Sequence, residues 1–317
     1  MNWRPNSSHG IARARAQMLQ KARSFFAARD VLEVSTPSLS ARTSVDPNIE
    51  SIVARLADRQ AYLHTSPEHF MKRLLAAGYP DIYQICRVYR DGELGRFHIP
   101  EFTMIEWYRL GFELQAMMQE TTALMTEMLA GQQLTRPPLL LTYSQAFSDA
   151  LSIDPLHADV ETLAEATDAK ADLSETLGSD RDAWLDLAMA THVASTFPGD
   201  RLTVVYHYPA SQAALARICP DDETVADRFE VYFGAIELAN GFVELTDANE
   251  QKSRFESDIE KRKSSGLKHY TIDDALIEAL NSGMPPAAGV ALGLERLLMI
   301  EAGADDIRSI ITFTPGH

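Results

Sequence analysis

Phe229-Glu230-Val231-Tyr232-Phe233-Gly234-Ala235-Ile236-Glu237-Leu238-Ala239-Asn240-Gly241-Phe242-Val243-Glu244-Leu245 is the stretch that decides the fold. Two runs rich in β-branched and aromatic residues meet at Gly234-Ala235, which reads as a two-residue hairpin loop. In that register Tyr232 pairs with Glu237 and Glu230 with Ala239, making Glu230 and Glu237 diagonal neighbours on one face. Strict alternation sends Asn240, Phe242 and Glu244 to the opposite face. A bulge at Ala239 or Gly241 would bring both sets to one site. Adjacent carboxylates repel unless a cation lies between them, and Mg²⁺ with a nucleotide supplies one. The competing reading is an exposed acidic hairpin.

Outward from the hairpin, Gly289-Val290-Ala291-Leu292 reads as a strand feeding a final helix, and helices are expected over roughly 249–264 and 272–282. Upstream, Asp81 to Arg90 and Glu101 to Tyr108 read as two strands joined by Asp91-Gly92-Glu93-Leu94-Gly95. Helices are expected over 9–29 and 113–130. Tyr62-Leu63-His64 reads as a strand, and Ser66-Pro67-Glu68 as a helix start with Pro at its first position. The stretch 135–225 reads as helical and polar, closing on a strand at Leu202–Tyr206. Neighbouring hairpin-like strands broken by helical insertions favour an α+β domain with an antiparallel sheet, here a single domain over 1–317.

Composition bounds the function. The chain has 317 residues, 45% of them hydrophobic, and a formal net charge of −16. That is ordinary globular usage. The acidic balance argues against sequence-independent grip on nucleic acid, which relies on Lys and Arg. No apolar run approaches the ~20 residues a membrane span needs, and Met1–Gln17 carries no signal-peptide core. Cys86 and Cys219 form no metal spacing and read as reduced cytoplasmic thiols.

Three further constellations carry chemistry. Arg87, Arg90, Arg96 and His98 gather around the Gly-punctuated loop, an arrangement suited to a polyphosphate. On a strand, Phe102, Met104, Glu106 and Tyr108 share one face, where a carboxylate and a phenol suit an ammonium ligand. Gly293-Leu294-Glu295-Arg296 leads from a strand into a helix whose N-terminus favours anions.

Phe25-Phe26…Val34-Ser35-Thr36-Pro37, Tyr89-Arg90…Pro100-Glu101-Phe102 and Gly293-Leu294-Glu295-Arg296 resemble motifs 1, 2 and 3 of the class II aminoacyl-tRNA synthetases. Thr65-Ser66-Pro67-Glu68, Glu106-Trp107-Tyr108 and Glu237-Leu238-Ala239-Asn240-Gly241-Phe242-Val243-Glu244-Leu245 resemble the lysine-specific branch. Lysyl-tRNA synthetases carry an N-terminal OB-fold that reads the anticodon, whereas here motif 1 begins by Phe25, leaving no room for that domain. A free-standing lysyl-type catalytic domain resembles the elongation factor P–lysine ligase family. Ala291 fits that family, since the tRNA-charging relatives usually have Gly there. Two positions depart from the lysyl pattern: Gly92 stands where motif 2 usually has an acid, with Glu93 one later, and Ile99 replaces Asn.

The resemblance implies a class II synthetase core, α+β with an antiparallel sheet flanked by helices, dimeric through the motif 1 helix and strand. It implies ATP-dependent activation of (R)-β-lysine to an adenylate and transfer to a lysine of elongation factor P. A lysine 2,3-aminomutase would supply the β-lysine, with no stable tRNA binding and no membrane attachment. Arg90 and Arg296 are the implied catalytic residues. ATP falls to Arg90, Asp91, Gly92, Glu93, His98, Ile99, Phe102, Glu237, Leu238 and Arg296, with Phe102 and Arg296 sandwiching adenine. Mg²⁺ falls to Glu230 and Glu237. Glu244, Tyr108 and Glu106 receive the ε-ammonium, and Ser66 and Glu68, with Gly293, surround the second amine, with Pro67, Asn240, Phe242 and Ala291 completing the substrate site. The alternatives are a minimal lysyl-tRNA synthetase and an inactive synthetase-like binding module.

Overall fold

The computed structural model describes residues 3–129, 134–169, 173 and 176–314. Helix α1 (His9–Ala27) starts where the Ser8 side chain accepts from the Ile11 amide, and it buries Met18, Ala22, Phe25 and Phe26. There follow β1 (Leu32–Glu33), β2 (Leu39–Ser40), β3 (Val53–Leu56), β4 (Arg59–Leu63), α2 (Glu68–Ala76), β5 (Ile82–Tyr89), β6 (Glu101–Leu110) and α3 (Leu114–Met128). The middle of the chain holds β7 (Leu139–Thr142), α4 (Tyr143–Leu151), α5 (Val160–Ala166) and α6 (Arg181–Ala188). The last third contributes β8 (Leu202–Pro209), β9 (Val225–Phe233), β10 (Ile236–Val243), α7 (Ala248–Ser264), α8 (Asp274–Asn281), β11 (Ala287–Gly293) and α9 (Leu294–Ala302).

Eight strands form one sheet in the order β1-β5-β6-β11-β10-β9-β8-β7, and β2-β4-β3 form a small second sheet. The six central strands pair antiparallel, as expected, but the two outermost pairings are parallel: β1 with β5 and β7 with β8. Alternation along the strands gives the large sheet two faces. Tyr83, Trp107, Val231 and Val290 face one core, closed by α1, α3 and α9, where Phe26 stacks on Tyr83 at 4.3 Å between centroids. Tyr108 and Ile82 face the other way, toward a second core shared with α2, α7 and α8. The second face carries the site.

Three expectations are corrected. Pro67 is the N-cap of α2, and Glu68 is the first helical residue. The Ser66 hydroxyl accepts from the Glu68 amide at 2.9 Å and so satisfies one of the orphan donors of the first turn. The segment 135–225 is not merely polar. It begins with β7 and buries its own core around Tyr143, Phe147 and Trp184. Finally, the hairpin slips. Tyr232 pairs with Glu237, but Val231 pairs with Ala239 and Glu230 with Asn240, because a bulge lies between Glu237 and Ala239. Its extra residue is Leu238, one before the earlier of the two expected positions. The shift puts Glu237, Asn240 and Phe242 on one face.

Candidate active site

A cavity of about 520 Å³ opens on the second face of the sheet, over β6, β10 and β11. At one end lies a cluster of acids. Glu106 is buried and accepts from the Tyr108 hydroxyl at 2.7 Å and the Ser66 hydroxyl at 2.8 Å. Glu244 lies just beyond β10 and is equally buried. Burial pushes both carboxyls up to about 8; the nearby Glu68 adds to this, against opposing hydrogen bonds and Lys72. Ser66, Glu68, Asn240, Phe242 and Ala291 line the same end.

Glycine makes this packing possible. A Cβ on Gly289 would run into Glu244 Oε1 and lie 2.6 Å from Tyr108 Cε1. At Gly293, by contrast, a Cβ would meet only the Leu238 carbonyl at 4.0 Å. Gly293 instead leaves open space at the N-cap of α9.

The other end is built for a flat, charged ligand. Arg90 stacks on the Phe102 ring at 5.2 Å and donates to Glu93 at 3.2 Å. Arg296 donates to the Glu237 carbonyl at 2.9 Å and to its carboxylate at 3.2 Å, and it contacts His98 at 2.6 Å. His98, Ile99 and Leu238 complete the lining. Burial, then the Arg296 charge, holds the His98 imidazole below its ordinary value, hence neutral near pH 7.

Four of the sequence candidates do not line the cavity. Pro67 caps α2, and Gly92 turns the loop at φ +78°. Asp91 anchors the loop outside, its amide donating to the Glu50 carbonyl and its carboxylate accepting from Lys268. Glu230 sits behind, accepting from Tyr208 at 2.6 Å, from Tyr232 and from Arg228 at 2.6 Å. Its carboxyl is raised, by burial first and the Glu237 charge next. The four-member basic cluster is also reduced. Arg87 turns to Glu101 and Glu295 and Arg96 to Asp305, so only Arg90 and His98 reach the cavity.

Sequence reasoning missed three participants. Lys72 is buried and sits 2.6 Å from both Glu68 and Glu244; its signal was the four-residue spacing from Glu68 on a helix. Arg228 bridges Glu230 and Asn240, and sits two residues before Glu230 on the same strand face. Glu295, buried in the first turn of α9, accepts from the Thr103 amide and hydroxyl and so locks α9 to β6 beside Phe102. Among the described residues, the one His/Cys/Asp group spaced for a metal is His207, Cys219 and Asp227. It lies outside the cavity, and Arg217 already neutralises Asp227 at 2.6 Å.

An eight-stranded mixed sheet whose cavity is lined by Arg90 after one strand and by Arg296 in the first turn of a helix is the frame of a class II synthetase. The profile of the family "tRNA synthetases class II (D, K and N)" matches residues 1–316, and the chain belongs to that family. It is 46% identical to the "Elongation factor P--(R)-beta-lysine ligase" of Enterobacter sp. (strain 638), over 98% of this chain and 97% of that one. It is 45% identical, at the same coverage, to the proteins of that name from Salmonella arizonae and Salmonella gallinarum.

Proposed function

We propose that this chain activates (R)-β-lysine with ATP and transfers it to a lysine side chain of elongation factor P, in the cytoplasm and as a homodimer. The observation that carries the reading is one cavity with a carboxylate-rich end suited to ammonium groups and an Arg/Phe/His end suited to a nucleotide. The 45–46% identity to ligases of that name supports the substrate and the acceptor.

On this reading Arg90 turns from the Phe102 ring to the substrate carboxylate and the α-phosphate, which frees the Phe102 face for adenine, and Arg296 closes over it. Glu93, already paired with Arg90, takes the place of the acid that Gly92 lacks. The substrate carboxylate attacks the α-phosphorus in line and expels pyrophosphate, giving the mixed anhydride. The acceptor amine then forms the amide as the C–O bond to AMP breaks. Positioning and charge do most of this work. Glu237 offers a half-exposed carboxylate, one donor that fits Mg²⁺, which takes one or two carboxylates beside nucleotide phosphates, whereas Glu230 is already taken by Tyr208, Tyr232 and Arg228. When bound, the ion would neutralise phosphate charge.

The experiment is acceptor labelling. Radiolabelled (R)-β-lysine with ATP should label elongation factor P through an amide that survives alkali. Alkali-labile charging of tRNA with no protein labelled would overturn the reading in favour of a minimal synthetase.

A further inference from the structure

We propose that Lys72 is a fixed internal counter-cation of the amine end, a positioning and specificity residue that leaves the site room for two ammonium groups and no more. The inference rests on the function proposed above. Helix α2 places Glu68 and Lys72 one turn apart on the face it turns to the sheet. The Lys72 side chain is 1% exposed, and its Nζ lies 2.6 Å from Glu68 Oε1, 2.6 Å from Glu244 Oε2 and 5.4 Å from the Phe242 ring. Glu106 stands alongside with no cationic partner of its own among the described residues; its hydrogen bonds come from Ser66 and Tyr108.

Charge counting follows. Glu68, Glu106 and Glu244 against Lys72 leave two negative charges when all are ionised. Two buried negative charges without counter-ions are costly, so the empty site takes up protons instead. Burial accordingly keeps Glu106 and Glu244 protonated up to about pH 8. Burial alone would push the Lys72 ammonium down, but the Glu244 and Glu68 oxygens 2.6 Å away more than offset it, and Lys72 stays charged. Other groups facing the cluster remain neutral: Tyr108 from β6 is raised well above its ordinary value, and Cys86 from β5, beside Glu106, is pushed up to about 12. His69, next on α2, is turned to Asp273. A diamino acid brings both missing ammonium groups, so its binding expels the stored protons. An amino acid with one amine leaves a carboxyl unpaired or protonated.

The test is calorimetry on the wild-type protein at pH 7, titrating β-lysine or lysine in phosphate and in Tris, buffers of different ionisation heat. Different binding heats, reporting proton release, are expected. Equal heats overturn the inference while leaving the proposed function intact, whereas no binding by any diamino acid overturns both. In pyrophosphate exchange, Lys72→Met should raise the amino-acid KM about tenfold and move its pH dependence about one unit upward, with kcat little changed. Lys72→Met/Glu68→Gln, which restores the charge count, should move the pH profile back. A Lys72 that merely fills space predicts no such return, and that result would also overturn the inference. If Lys72→Met does not fold, the wild-type calorimetry decides.

Discussion

Gly289→Ala puts the floor of the amine end to a direct test. Gly289, Ala291 and Gly293 alternate onto the same face of β11, opposite Tyr108, Glu106 and Met104 of β6. A methyl at residue 289 would meet Glu244 Oε1 and the Tyr108 ring, at 2.6 Å from Cε1 and 2.9 Å from Cδ1. Carbon atoms pack best at about 3.5–4.0 Å. Neither neighbour can retreat, since Tyr108 and Glu244 are each 2% exposed. Overpacking of this kind costs about 1–3 kcal/mol. The less flexible unfolded chain returns about 0.4–1 kcal/mol. The net is about 1–2 kcal/mol, and at ~2.1 cal/mol/K of unfolding entropy per residue this lowers Tm by only about 2–3 °C. The larger effect falls on function, because the methyl pushes Glu244 from Lys72 and intrudes on the substrate. A one-carbon misfit is worth about 10–200-fold in kcat/KM. Pyrophosphate exchange with the amino acid varied should show that loss at an unchanged KM for ATP. Full activity with (R)-β-lysine in a folded variant would refute the close-packed floor.

Ala291→Gly, which opens space beside Glu106 and Asn240, should raise α-lysine activation relative to (R)-β-lysine by up to about 10–200-fold; an unchanged ratio makes Ala291 a packing residue. Arg296→Ala and Glu237→Gln should each abolish pyrophosphate exchange without loss of fold, checked by circular dichroism, since each removes a charge from the nucleotide end. Stability should fall as pH rises. Glu106 and Glu244 ordinarily titrate at 4.5 but hold their protons to about 8 when folded, so between these values the folded state binds more protons. Thermal melts of the unliganded protein should therefore drop across that window, and a saturating diamino acid should flatten the drop.

Alternation made much of the site legible. Phe102, Met104, Glu106 and Tyr108 were readable as one face because β6 is long and regular, and all four line the cavity. Parity along β5 would also have separated Arg87 from Arg90, but charge clustering was the louder signal. Leu238 was harder. The bulge is decided by neighbours on both sides, since any Cβ at Gly241 would meet Phe229 and Val290 at 2.6 Å, and no local pattern reports that. β7 escaped notice because it is four residues long and leaves Leu140 exposed. Lys72 was illegible for a different reason. A Glu and a Lys one turn apart normally describe a solvated helix face, and only the approach of β10 and β6 turns that pair inward.

The bulge also fixes how this site can change over time. Every residue after Leu238 on β10 owes its side to that one additional position. A deletion within 237–240, or a second insertion, would flip Asn240, Phe242 and Glu244 into the core and bring Gly241 and Val243 to the cavity. Lineages can therefore alter this stretch by exchanging one amino acid for another, but not by changing its length.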